Sequence, residues 1–115
     1  MRYRGTRSKY GAKKVKLDGY TFDSQAEASR YGELLFLQRA GKISDLIVHP
    51  KYEIRFQKEK VCDVVLDFRY WEEGEKRYIF EDVKGLDTPM SKLKRKLLKA
   101  FYGLNVELID HTTGG

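Results

Sequence analysis

Between residues 51 and 84 the chain passes through three apolar stretches separated by short polar turns, a pattern that a β-sheet accommodates and a helical bundle does not. In KYEIRFQ, Tyr52, Ile54 and Phe56 alternate with polar residues, as a half-buried strand requires. A polar turn follows at 57–60, then VCDVVLDFRYW reads as a longer strand, and EEGEK returns the chain into KRYIFEDVK. Turns this short join antiparallel neighbours, so the stretch predicts a three-stranded meander.

Helical signals flank these strands. Ser24 stands as an N-cap before 25–40, where Gly32 is the only breaker, and Gly41 falls where helices commonly stop. Glu27, Tyr31, Leu34 and Leu35 recur at helical spacing, which puts a carboxylate at the N-terminal end of the core-facing stripe. Two roles compete for Glu27. The Ser24–Glu27 spacing is that of a capping box, in which the carboxylate returns to the Ser24 amide; the alternative is a place in a site. ISDLIVHP is the lead-in to the first strand. Thr88 and Pro89 open a second helix that runs to about Tyr102, Gly103 closes it, and VELID forms a last strand. Upstream, VKLDGYTFD reads as a hairpin with Asp18-Gly19 as its turn. The last strand follows a helix rather than a hairpin, so the fold class is α/β: an αβββαβ core with a mixed sheet flanked by helices. Residues 17–115 form one domain, preceded by a flexible basic arm at 1–16.

Of 115 residues only one is cysteine, so no disulfide scaffold is available; Cys62 in VCDVVL is a small buried hydrophobe of a reducing compartment. No secretory apolar region and no span-length apolar run occurs, so the expected location is the cytoplasm. The net charge of +6 is unevenly placed. Arg2, Arg4, Arg7, Lys9, Lys13, Lys14 and Lys16 precede the first acid, and Lys92, Lys94, Arg95, Lys96 and Lys99 crowd the second helix. Those five cannot all lie on the face that buries Leu93, Leu97 and Phe101, so several meet solvent or phosphate. Two basic blocks suit a polyanion, since each base set against a phosphate releases a counterion. No phosphate-binding glycine loop or nucleophile triad is present. Nor is there an RNP-like aromatic strand, which argues against an RNA-associated protein. His49 and His111 have no partner at zinc-ligand spacing.

The charges converge when the turn after Trp71 is placed in register. A two-residue loop at Gly74-Glu75 sets Glu73 against Lys76 and Glu72 against Arg77, two opposite-charge pairs. Continued down the ladder, that register brings Asp67 opposite Asp82, with Cβ atoms roughly 5 Å apart, and Lys84 one step further. A loop at 72–75 keeps both acids on one face as diagonal neighbours. Opposed carboxylates are destabilising unless neutralised. Either a divalent cation does this, magnesium or manganese by the hardness of the donors, or Lys84 and other bases close a structural network. Asp63 shares the face of Asp67 on a continuous strand, where it is either a further ligand or bonded to a lysine or the next strand. Glu81 points to the opposite face.

An acid on one core strand, Asp82-Val83-Lys84 on the next, and a helical Glu27 upstream resemble the PD-(D/E)XK nuclease superfamily, across about 22–110. Leu66 stands where that superfamily's naming proline precedes the first acid. More narrowly, KYGAKKVKLDGYTFDSQAEASRY and FEDVKG are similar to small phage and prophage nuclease-like proteins related to Holliday-junction resolvases. The resemblance implies magnesium-dependent hydrolysis of DNA phosphodiesters, with manganese able to substitute. Asp67, Asp82 and Glu27 would hold the metal and Lys84 would orient the attacking water. It further implies DNA as partner, with a homodimer expected of a resolvase. A non-catalytic basic DNA-binding module is the alternative function.

Overall fold

A computed structural model describes residues 13–110. Ten elements follow in order: β1 (Val15–Leu17), β2 (Tyr20–Phe22), α1 (Gln25–Arg39), β3 (Ile43–Val48), β4 (Lys51–Phe56), β5 (Glu59–Val65), β6 (Phe68–Glu72), β7 (Arg77–Lys84), α2 (Pro89–Tyr102) and β8 (Val106–Asp110). The fold is mixed α/β. Its central sheet has the order β3-β6-β7-β8, antiparallel except for the parallel pair β7 and β8 that α2 connects. β1-β2 and β4-β5 are separate two-stranded ribbons. Among the described residues no helix is long and apolar enough to cross a membrane.

Local chemistry sets the boundaries. Asp18 and Gly19 both take positive φ, 53° and 84°, the turn that a tight hairpin prefers. Val15 and Lys16 therefore belong to the hairpin rather than to the expected arm, whose residues 1–12 lie outside the described residues. Thr88 Oγ1 accepts from the Ser91 amide, Pro89 opens α2, and Gly103 ends it at φ 71°.

Two cores lie on the two faces of the sheet. Phe22, Ala28, Tyr31, Leu34, Ile43, Phe68, Tyr70 and Ile79 pack beneath α1, while Ile54, Val64, Leu66 and Leu98 pack beneath α2 and the β4-β5 ribbon. Only Leu98 of α2 is fully buried; Leu93 and Phe101 are half exposed and Leu97 only partly buried, so the buried face expected of these three is not formed.

The expected meander is corrected by a break at Leu66-Asp67. Residues 64, 66, 68 and 70 would share one face of a continuous strand. Instead Val64 and Leu66 enter the α2 core, whereas Phe68 and Tyr70 enter the α1 core. The backbone turns over between them: the Leu66 amide bonds Pro50 O at 3.0 Å, and the Asp67 amide bonds Glu81 O at 3.1 Å. VCDVVLDFRYW is thus two strands in two sheets. The first strand of the central sheet is ISDLIV, not KYEIRFQ. Its pairing with β6 shifts between Ser44 and Ile47, where Asp45 takes φ 57°, so its alternation is hidden.

The β6-β7 register is the expected one, with Glu72 opposite Arg77 and Phe68 opposite Glu81. The turn differs: ladder pairing stops at Glu72, and Gly74 does not take a left-handed φ. Lys76 takes it, at 58°, because Glu72 holds both the Lys76 amide (2.8 Å, through its carbonyl) and the Glu75 amide (2.6 Å, through Oε1).

Candidate active site

Three strand ends and one helix start meet at a single edge of the central sheet. The β3-β6 ladder pairs Val48 with Phe68, and one step on the His49 amide donates to Asp67 O at 2.9 Å. The β6-β7 ladder pairs Phe68 with Glu81, and one step on Asp67 meets Asp82. His49, Asp67 and Asp82 therefore form a row across β3, β6 and β7. Glu27 joins it from the first turn of α1.

Asp67 and Asp82 clasp each other's strand. The Asp67 amide donates to Asp82 Oδ1 at 3.1 Å, and the Val83 amide donates to Asp67 Oδ2 at 2.6 Å. One oxygen of each carboxylate is thereby fixed by backbone, which orients the other. Lys84 Nζ lies 3.6 Å from Asp82 Oδ2 and is partly open to solvent. Asp63, separated from this row by the break, instead pairs with Lys60 at 2.9 Å.

Glu27 caps α1 and also faces the row of strand ends. Its amide donates to Ser24 Oγ at 3.1 Å, the forward half of the cap. The return bond goes to a different amide than expected: Asp23 N–H, not Ser24 N–H, donates to Glu27 Oε1 at 2.9 Å. Oε2 faces His49 Nε2 at 2.9 Å. Glu27 is only 4 % exposed. One donor atom from each of Glu27, His49 and Asp67 lies within 4.8 Å of the others.

Acids outnumber fixed bases here, and their protonation responds. Burial, then the neighbouring Glu27 and Asp82 carboxylates, push the Asp67 carboxyl up to about 8 against the pull of the Val83 amide. Burial also raises Asp82, although Lys84 draws it down. A divalent cation fits such a place: it replaces the missing positive charge, and carboxylate oxygens are the donors magnesium and manganese accept.

His49 is the site residue that the sequence did not disclose. Its signal was the position of His-Pro directly after an apolar run, legible only once that run is recognised as the strand beside β6. His111 lies outside the described residues.

The basic residues divide. Arg2, Arg4, Arg7 and Lys9 lie outside the described residues. Lys14 pairs with Asp23 at 3.1 Å, and Arg95 holds Asp87 with two bonds of 2.8 and 2.7 Å. Lys92, Lys96 and Lys99, with Arg95, line an open hollow of about 450 Å³ between α2 and the start of β8. A second hollow of about 300 Å³ is lined by Lys84, Gly85 and Asp87 with the end of β8. Asp87 lines this hollow and its partner Arg95 the first, so the two adjoin at that ion pair; the first is lined by bases, the second by Lys84 with Asp87 and Asp110.

Together these features define an α/β protein whose sheet end gathers three carboxylates, an imidazole and a lysine. The chain belongs to the family described as protein of unknown function (DUF1064), whose model matches residues 7–112. No curated protein and no solved structure matches it.

Proposed function

We propose that the protein is a metal-dependent DNA endonuclease of PD-(D/E)XK type, acting on branched DNA of the Holliday-junction class during phage recombination or replication in the host cytoplasm. The observation that carries this reading is the clasp of Asp67 and Asp82 at the sheet end, with Glu27 and Lys84 converging on it. A bound divalent cation would supply charge neutralisation and a water of lowered pKa. Asp67, Asp82 and Glu27 would hold that cation; each already has one carboxylate oxygen bonded to a backbone amide, which fixes the direction of the other. Lys84 orients the attacking water and offsets charge developing on the phosphoryl oxygens. Lys92, Lys96 and Lys99 receive the flanking phosphates, which positions DNA without reading its sequence. Two symmetric nicks in a junction call for two copies of the chain.

The test is incubation of the purified protein with four-way junction, flap, duplex and single-stranded DNA, with magnesium, with manganese and with EDTA. Metal-dependent cutting, strongest on the junction, is expected. Tight, salt-sensitive binding without cutting under either metal would replace the enzyme with a DNA-binding module, its acids and Lys84 a structural network.

A further inference from the structure

We infer that His49 donates its imidazole to the cation site, and that the site consequently takes manganese in preference to magnesium. This rests on the reading of Glu27, Asp67 and Asp82 as carboxylate ligands and adds the residue that chooses the metal.

Backbone and packing hold this side chain in place. His49 adopts a left-handed φ of 57°, a conformation disfavoured for most side chains, at the step where its amide bonds Asp67 O. Its ring lies against Phe22, with centroids 5.6 Å apart, and edge-on to Tyr20 at 6.5 Å. Nε2 is thereby aimed at Glu27 Oε2, 2.9 Å away, and falls within the group that includes Asp67. A histidine serving only to pair Glu27 needs no second carboxylate, yet this one is in register with Asp67.

Donor chemistry then discriminates between cations. Magnesium prefers an all-oxygen octahedron and gives up water reluctantly, so an imidazole adds little to its binding. First-row transition ions accept imidazole readily, and manganese is the one that also favours carboxylates. One nitrogen among several carboxylate oxygens is a set that favours manganese over magnesium.

The experiment is calorimetric titration of the metal-stripped full chain with manganese and with magnesium, together with pulsed EPR of the manganese-loaded protein. Wild type, His49→Asn and Asp67→Asn are compared; asparagine tolerates the left-handed backbone at 49. Wild type should bind manganese more tightly than magnesium by more than about tenfold, the loss typical of removing even an outlying support of a metal ligand. Its spectrum should carry coupling to an imidazole nitrogen. His49→Asn should lose both the coupling and the preference while still binding both ions, and Asp67→Asn should weaken both ions alike. Manganese bound without nitrogen coupling in wild type, or an unchanged preference in His49→Asn, overturns the inference and leaves the carboxylate site standing. A wild type that takes up neither ion overturns both.

Discussion

Glu81 and Asp82 are consecutive on β7 and both are buried, at 1 % and 8 % exposure, yet the first is held by an arginine and a tyrosine while the second lies beside another buried carboxyl. Glu81 points under α1, where Arg30 holds it with two bonds of 2.9 and 2.6 Å and the Tyr70 hydroxyl adds a third. Arg30 is driven above its ordinary value chiefly by its bond to Glu81, as expected of a matched buried pair. Asp82 points to the other face, where Lys84 lies 3.6 Å away, the Arg95 charge, already bonded to Asp87, acts from further off, and the Asp67 carboxyl is its neighbour. Burial is nearly equal, so burial alone does not separate a structural carboxylate from a functional one. The balance of charge around it does.

Breaking each half of this comparison should give opposite results. Asp82→Asn keeps an oxygen for the Asp67 amide and removes a crowded charge. It should cost less than about 1 kcal/mol of stability while lowering cleavage at least about a hundredfold. Arg30→Ala strands Glu81 as an uncompensated buried charge and should destabilise the fold by about 3–5 kcal/mol. Thermal melts of both variants beside a cleavage assay separate the two roles. If both substitutions cost the same stability, the contrast between the carboxylates is wrong.

The contrast also predicts a pH dependence. The Asp67 carboxyl, raised to about 8 from an ordinary 3.8, binds its proton more tightly folded than unfolded. Its contribution to stability is thus fully present below about 4 and is lost as pH rises through 8. Without metal, the melting temperature should fall across that window. Asp67→Asn should flatten the slope, and a saturating divalent cation should raise the melting temperature most at its alkaline end. A rising slope, after allowance for other groups, would contradict the assignment.

A smaller effect concerns the basic flank of α2. Substituting Lys92, Lys96 and Lys99 with alanine should weaken DNA binding and reduce the slope of log affinity against log salt by about 0.9 for each phosphate left without its lysine. An unchanged slope would remove this flank from the interface.

How much of this was legible beforehand follows from what each signal depends on. The ends of α2 were readable because Thr88-Pro89 and Gly103 act locally. The β6-β7 register was readable because cross-strand charge pairs select it, and it carried Asp67 to Asp82. The face reversal at Leu66-Asp67 was not, since Leu66 and Phe68 are both fully buried and alternation cannot tell one core from the other. β3 was hidden by its bulge at Asp45, and His49 with it. The row of three strand ends exists only once β3 is beside β6.

The central claim is that the strand ends in Asp82-Val83-Lys84 because that end performs metal-dependent phosphodiester hydrolysis. Its most direct test is Lys84→Ala on the preferred DNA, with binding and single-turnover cleavage measured on the same samples in the presence of metal. The account predicts unchanged metal and DNA binding with cleavage lost. Full cleavage by Lys84→Ala would contradict it.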